Sequence, residues 1–145
     1  MLKKIEFSKI VKAPIEVAYT IVAGVNKYPE FVPNVYKVKI LYKDGNHIGV
    51  EMEVRKWIIK KKVQTLVQYT KYDTISFEQI KGPFKTMRGQ WQFDQVEDGT
   101  KVVFQSEVEM DGHISAELIM KIFRRDCKRI MKAFIRRAEI ISARI

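Results

Sequence analysis

The chain of 145 residues has one cysteine and two histidines, and each scarcity excludes a class of protein. The single Cys127 excludes an intrachain disulfide and fits a reducing compartment. His47 and His113 lie far apart and no cysteine–histidine cluster accompanies them, so no metal site is predicted. The longest nearly uncharged run, around residues 13–25, is too short to span a bilayer and contains Glu16. We therefore expect a cytoplasmic globular protein.

Motifs for nucleophilic or phosphate chemistry are also missing from the sequence. There is no Gly-x-Ser-x-Gly elbow and no phosphate-cradling glycine loop. Cys127 falls on the apolar stripe of a predicted helix, where we interpret it as a small buried hydrophobe. Four glutamates, at positions 51, 53, 107 and 109, alternate with the apolar residues of their predicted strands. We therefore expect them to lie on the polar face of each strand and to face solvent beside lysines. The sequence predicts no catalytic residue.

The beginning of the chain predicts one strand and two short helices. The length fits a single domain over residues 1–145, and an apolar content of 46% is enough for one core. Residues 3–12 predict the strand. Ala13-Pro14 predicts the start of a helix, because proline fits the first helical turn. The segment 26–34 contains two prolines four positions apart, which favours a short helix or a rigid turn.

From Val35 to Met110 the apolar residues recur at every second position, with turn residues between the segments. Val38, Ile40 and Tyr42, for example, alternate up to a turn that contains Asp44-Gly45. This pattern predicts six strands in hairpin succession, each with one apolar and one wet face, which is typical of an antiparallel sheet.

The segment from Ser115 to Ser142 has the spacing of one long amphipathic helix. Its length of about 42 Å exceeds the diameter of a small domain, so it needs a broad apolar surface to pack against. An antiparallel sheet curled around this helix satisfies both elements, and the predicted fold class is α+β. The apolar stripe consists of Leu118, Ile119, Ile122, Phe123, Cys127, Ile130, Met131, Phe134, Ala138 and Ile141.

Positive charge is concentrated on the opposite face of this helix. The chain has a net charge of +10, and its last helix holds eight basic residues against three acidic ones. Such a face is either a solvated surface or a binding surface for an anionic partner, meaning RNA or the inner face of a membrane. The residues predicted for an anionic surface are Lys60, Lys61, Lys62, Lys121, Arg125, Lys128, Arg129, Lys132 and Arg136.

Three motifs resemble a known family. They are the segment 27–33 (KYPEFVP), the segment 81–93 (KGPFKTMRGQWQF) and the segment 133–138 (AFIRRA). Together, and in this order, they resemble the coenzyme Q-binding START-like family, which is grouped with the aromatic polyketide cyclases and the bacterial ribosome-association toxin. The resemblance covers essentially the whole chain. It implies a helix-grip (START/Bet v 1-like) fold, in which a seven-stranded antiparallel sheet wraps around the C-terminal helix.

The resemblance also implies a tunnel between sheet and helix that takes lipids, quinones, sterols or polyketides. The loop from Tyr28 to Pro33 would control its mouth. Thr65 and Ser106 share the inward parity, where they either pack with a local hydrogen bond or orient the polar head of a ligand. The residues predicted for the cavity are Tyr28, Phe31, Val32, Pro33, Thr65, Tyr69, Phe77, Phe84, Trp91, Phe93, Phe104, Ser106, Met131 and Phe134.

Three functions are compatible with these observations. The first is the non-enzymatic transport or chaperoning of a hydrophobic small molecule, such as a polyprenyl quinone or another lipid, without a further cofactor. The second is association with ribosomes or other RNA through the basic face. The third is a polyketide cyclase or dehydratase, for which only Thr65, Ser106, Tyr69 and Arg88 are candidate polar groups; Arg88 has the outward parity and would need a bulge to reach the cavity.

Overall fold

The segments with period two form strands, and the segment with helical spacing forms the last helix. The structure is a computed structural model that describes residues 2–56, 59–110 and 116–144, without the side chains at 56, 59 and 116–120. His113 and Ser115 lie outside the described residues. The elements are β1 (Leu2–Val11), α1 (Ile15–Ala23), a 3₁₀ turn (Val25–Lys27), α2 (Tyr28–Phe31), β2 (Val35–Asp44), β3 (His47–Lys56), β4 (Ile59–Thr70), β5 (Thr74–Lys81), β6 (Thr86–Val96), β7 (Gly99–Glu109) and α3 (Ala116–Ala143).

The seven strands of the described part form one antiparallel sheet in the order β1-β7-β6-β5-β4-β3-β2. Strands β2 to β7 follow one another as neighbours, and β1 pairs with β7 at the far edge, where Phe7 is opposite Phe104. The helix-grip fold with its two short helices after the first strand is confirmed. No helix in the described residues is long and apolar enough to cross a membrane.

The end of β1 is fixed against β7 by a close backbone approach. Gly99 has a φ of +144°, and a Cβ atom there would meet the backbone of Val11. Next to it, the buried Thr100 donates a hydrogen bond from Oγ1 to the carbonyl oxygen of Ala13, at 2.8 Å. Only glycine fits the approach without strain, so the chain turns from β1 into α1 at a defined point of the sheet.

One half of α3 packs tightly in the concave side of the sheet. Its residues Met131, Phe134 and Ala138 are buried, and α1 packs on the same half with Ala18 and Val22. Near its end, Glu139 accepts a hydrogen bond from the backbone N–H of Lys12, at 2.9 Å. The C-terminal half of α3 is thereby held between the sheet and α1.

One detail of the predicted strand alternation and one detail of the predicted helical stripe are wrong. The pairing of β2 with β3 shifts between Ile40 and Tyr42, which leaves Leu41 as an extra residue. Because a bulge reverses the parity, Tyr42 lies on the outer face over Gly49 with 45% of its surface exposed. Ile122, placed on the apolar stripe, is 38% exposed because it lies at the margin of that stripe.

Candidate ligand cavity

A cavity of about 500 Å³ lies between the sheet and the first half of α3. This volume falls within the range of small-molecule sites in proteins. Its walls come from β3 to β6 and from Phe123, Asp126 and Ile130 of α3, while residues 25–35 and 83–84 form the rim. The lining residues are Val25, Tyr28, Pro33, Asn34, Val35, Met52, Val54, Lys61, Val63, Thr65, Val67, Ile75, Phe77, Pro83, Phe84, Met87, Trp91, Phe123, Asp126 and Ile130.

The apolar wall is a direct product of strand alternation. Val63, Thr65 and Val67 of β4 point inward because they are two positions apart on one face of the strand. On β5 the ring of Phe77 also points inward, and it lies beside Gly89 of β6. A Cβ atom at Gly89 would be 2.6 Å from Cζ of Phe77, so the glycine makes room for this ring.

Trp91 separates the cavity from the packed half of the core. Its ring centroid is 4.9 Å from that of Phe104 and 5.1 Å from that of Phe134. Phe134 in turn contacts the rings of Tyr28 and Phe31, at 5.1 and 5.3 Å. This chain of aromatic contacts forms a floor that extends from the sheet to α2.

The rim is held by side chains that bond to backbone. Gln79 donates from Nε2 to the carbonyl oxygen of Phe84 at 2.7 Å, which fixes the β5–β6 loop. The ring of Phe84 then packs edge-on against Phe123 of α3, at 5.1 Å. On the other side, the Tyr28 hydroxyl donates to the carbonyl oxygen of Val22. Burial, with the nearby Tyr69, raises the pKa of Tyr28 above its ordinary value, so this hydroxyl stays a donor.

Polar groups are few in this cavity. Thr65 is a buried residue of the wall, and Lys61, Asn34 and Asp126 lie where the cavity opens. Asp126 has an interaction partner. Among the described residues, no three His, Cys, Asp or Glu side chains come together as a metal site would require.

Six of the residues predicted for the cavity line it: Tyr28, Pro33, Thr65, Phe77, Phe84 and Trp91. The others lie elsewhere, because the last half of α3 leaves no space there. Phe31, Phe104, Met131 and Phe134 pack in the core beyond Trp91. Val32 is buried in the same core and Phe93 packs on Tyr19, at 5.4 Å.

Two predicted polar residues are engaged with backbone outside the cavity. Ser106 donates from Oγ to the carbonyl oxygen of Arg88 at 3.3 Å, which is the local packing role that its position allowed. Tyr69 donates to the carbonyl oxygen of Ala23 at 3.2 Å, and burial, with the nearby Tyr19, raises its pKa to about 12. Arg88 lies on the outer face, where its Nε is 3.1 Å from Glu107, and β6 pairs with β7 there without a bulge.

Several lining residues were missed, although the alternation contains the signal for most of them. Met52 and Val54 share the inward parity of β3, and Val63, Val67 and Ile75 share that of β4 and β5. Lys61 has this inward parity too, but the run of three lysines concealed it. Phe123 and Ile130 could be assigned to the cavity only when it was known which half of α3 faces it.

Cys127 lies on α3 between the cavity-lining Phe123 and Ile130, but its own side chain is buried in the packed core. Burial, with the charge of Asp126, raises the pKa of its thiol to about 12. The thiol is therefore protonated at neutral pH and is a poor nucleophile, as its interpretation as a buried hydrophobe requires.

The residues predicted for an anionic surface divide into two groups. Six of them are exposed along α3, and we call them the basic ridge: Lys121, Arg125, Lys128, Arg129, Lys132 and Arg136. On β4, Lys62 is exposed and Lys61 lies at the cavity, whereas Nζ of Lys60 is 3.2 Å from Glu53.

Glu53 is buried and does not face solvent as its parity predicted. Arg55 and Lys60 lie over it, each with a nitrogen 3.2 Å from its carboxylate oxygens. Desolvation raises the pKa of Glu53, but the hydrogen bonds and charges of Lys60 and Arg55 outweigh it, and the pKa is below its ordinary value.

The sheet curled around a long helix, with a cavity between them, defines a START-like helix-grip domain. The family described as polyketide cyclase / dehydrase and lipid transport matches residues 11–135. The chain therefore belongs to this family. The narrower resemblance to its coenzyme Q-binding members stays a prediction.

Relatives and solved structures agree with this assignment. The chain is 30% identical over 139 residues to the ribosome association toxin RatA of Vibrio cholerae, with 95% of this chain and 96% of the relative covered. RatA of Escherichia coli strain K12 is 25% identical over 146 residues, with 99% and 92% covered.

By fold, the chain is similar to the Zhui aromatase/cyclase from Streptomyces sp. R1128, with a TM-score of 0.87 and 17% identity over 96% and 94% of the two chains. A START superfamily protein from Mycobacterium smegmatis has a TM-score of 0.84 and 20% identity, with 95% and 98% covered.

Proposed function

We propose that the protein binds and carries a hydrophobic small molecule, a polyprenyl quinone or another lipid, in the cavity under the first half of α3. The observation that supports this is the cavity itself, about 500 Å³ with aliphatic and aromatic walls. Transfer of each buried CH₂ group from water contributes about 0.8 kcal/mol, so a ligand with a long apolar part gains affinity from such walls alone.

A cavity-filling variant tests the proposal. Ile130 lines the cavity, whereas Ile140 on the same helix is exposed. Native mass spectrometry of the purified protein is expected to show a retained lipid, or saturable binding of added quinone or lipid. Ile130→Trp should weaken this binding, because its ring occupies part of the cavity, and Ile140→Trp should preserve it. Absence of any bound or bindable apolar molecule from the parent protein would reject the proposal.

A second function, association with ribosomes through the basic ridge, has its own support. Relatives that cover nearly the whole chain are named ribosome association toxins, and the ridge residues are exposed. Contacts between such a ridge and RNA phosphates release counterions, so the binding would weaken steeply with salt. Peripheral contact with an anionic membrane uses the same charges and is the competing use of this surface.

Co-sedimentation with ribosomes at moderate and high salt tests this second function. The triple variant Arg125→Glu, Arg129→Glu, Arg136→Glu should no longer co-sediment with ribosomes at moderate salt. A control with the same charge change at the exposed Lys9, Lys43 and Lys101 should remain bound. Equal behaviour of the two variants would exclude the ridge as the contact surface, and vesicles with anionic lipid then test the membrane alternative.

A further inference from the structure

The side chain of Lys61 lies on the opposite face of β4 from its two lysine neighbours. Lys62 is paired in register with Glu53 and is exposed on the outer face, and Lys60 bonds to the same glutamate. Lys61 shares the inward parity of Val63 and Thr65, and it lines the cavity where this opens to solvent. An ammonium group is therefore placed at the mouth of a site whose walls are mostly apolar.

We propose that Lys61 selects amphiphiles with an anionic head group, a carboxylate or a phosphate, and holds that head at the cavity mouth. The inference rests on the proposed ligand-binding function and narrows its ligand class. It makes neutral quinones weaker ligands than acidic lipids.

The charge balance at the mouth favours an anion. Within the part of the chain that the structure describes, no carboxylate forms an ion pair with Lys61. Glu53 is already bonded to Arg55 and Lys60, and Asp126 has a partner. Among the described residues that line the cavity, Lys61 is the basic one, and its charge is available to a ligand. The exposed Lys62 and Arg125 add to the positive potential around the opening.

The walls fix which end of the amphiphile enters. Below Lys61 the cavity is lined by Val63, Val67 and Trp91, which have no charge to pair with an acid. Burial of an unpaired carboxylate or phosphate there is strongly unfavourable, whereas burial of an alkyl chain is favourable. The head group therefore stays at the mouth beside Lys61, and the apolar chain extends toward Trp91.

A direct test compares head groups on one alkyl chain. Trp91 is in the cavity wall, so its fluorescence reports occupancy once the only other tryptophan is replaced by Trp57→Phe. The full chain is titrated at low salt with dodecanoate, dodecyl phosphate and dodecanol. An exposed ion pair changes affinity by up to about fivefold, so at least one of the two anions should bind tighter than the alcohol, by up to about fivefold.

Variants of neighbouring lysines then assign the preference. Lys61→Met should reduce the ratio of the affinities for the anion and the alcohol to about one, whereas Lys61→Arg and Lys62→Met should retain the preference for the anion. Equal affinities for anions and alcohol in the parent protein, or a preference that survives Lys61→Met, would overturn the inference. If none of the three compounds binds, or if native mass spectrometry shows that Ile130→Trp binds them as tightly as the parent, the proposed function itself fails. The comparison of the affinities for dodecanoate and dodecyl phosphate shows which of the two head groups the protein prefers.

Discussion

The two halves of α3 have the same amphipathic pattern but serve different purposes. In the second half, Met131, Phe134 and Ala138 are 2–5% exposed, and the space left beside them is about 10 Å³, too little for a water molecule. In the first half, Phe123 and Ile130 are partly exposed and border a cavity of about 500 Å³. One apolar stripe therefore supplies both a packed core and a cavity wall.

The difference comes from what lies against the other side of each half. Helix α1 packs on the second half and fills it with Ala18 and Val22. Against the first half, in the part of the chain that the structure describes, the β5–β6 loop provides Phe84, whose ring packs on Phe123 at 5.1 Å. The other rim segment contacts the second half, where Tyr28 and Phe31 pack on Phe134. A tightly packed core thus requires a third element, here α1, besides the sheet and α3. Where that element is a loop, the space stays open to a ligand.

The largest expected effect separates the two halves by one matched substitution. Phe134→Ala should lower the free energy of unfolding by about 3–5 kcal/mol, because it removes a ring that Tyr28, Phe31 and Trp91 contact. Phe123→Ala should cost about 1–2 kcal/mol, since its ring already borders empty space. Guanidinium unfolding at neutral pH measures both, and equal losses would contradict the comparison.

Substitutions that add volume should also destabilise the second half of α3 more than the first. Met131→Trp is expected to cost about 1–3 kcal/mol, because the surrounding core has no room for a larger side chain. Ile130→Trp, one residue earlier, places its ring in the cavity and should change stability by less than about 1 kcal/mol. The same unfolding experiment is decisive. A loss for Ile130→Trp as large as that for Met131→Trp would mean that the first half is packed too.

A smaller effect is expected at the border between the halves. The hydroxyl of Tyr28 bonds to the carbonyl oxygen of Val22, while its ring lines the cavity and contacts Phe134. Tyr28→Phe leaves that carbonyl without its partner and should cost about 1–2 kcal/mol, with ligand binding retained. Tyr36→Phe is the control, because Tyr36 is exposed and should lose less than about 0.5 kcal/mol. A stability of Tyr28→Phe equal to that of the control would show that this bond adds nothing.

Most of the fold could be predicted from the sequence, because periodicity is set by residues close along the chain. The alternation of β4 and the helical spacing of α3 placed the elements almost to their ends. Tyr42 was misplaced because the bulge at Leu41 depends on pairing with β3, which no local pattern reports.

The site was harder to predict for a related reason. Phe123 and Phe134 have the same identity, helix and stripe, and the packing of α1 and α2 on the second half distinguishes core from wall. Lys61 was assigned to the surface with its neighbours, although its parity with Val63 indicates the inward face. Parity within a strand is therefore a better guide to this site than charge runs or aromatic content.

The smallest expected effect tests where the packed region begins along α3. Burial raises the pKa of Cys127 from an ordinary 9.0 to about 12, so below pH 9 its thiol is neutral in both the folded and the unfolded chain. As pH rises above 9, the unfolded thiol ionises first, and stability should fall toward pH 12. Between pH 9 and 10 this loss is about 1 kcal/mol, and Cys127→Ala should remove it. Unfolding midpoints at pH 7.5, 9 and 10 measure it, since ~1 kcal/mol is resolvable there. If the slopes of parent and variant coincide and the native thiol reacts quickly with a thiol reagent, Cys127 borders the cavity instead of the packed core.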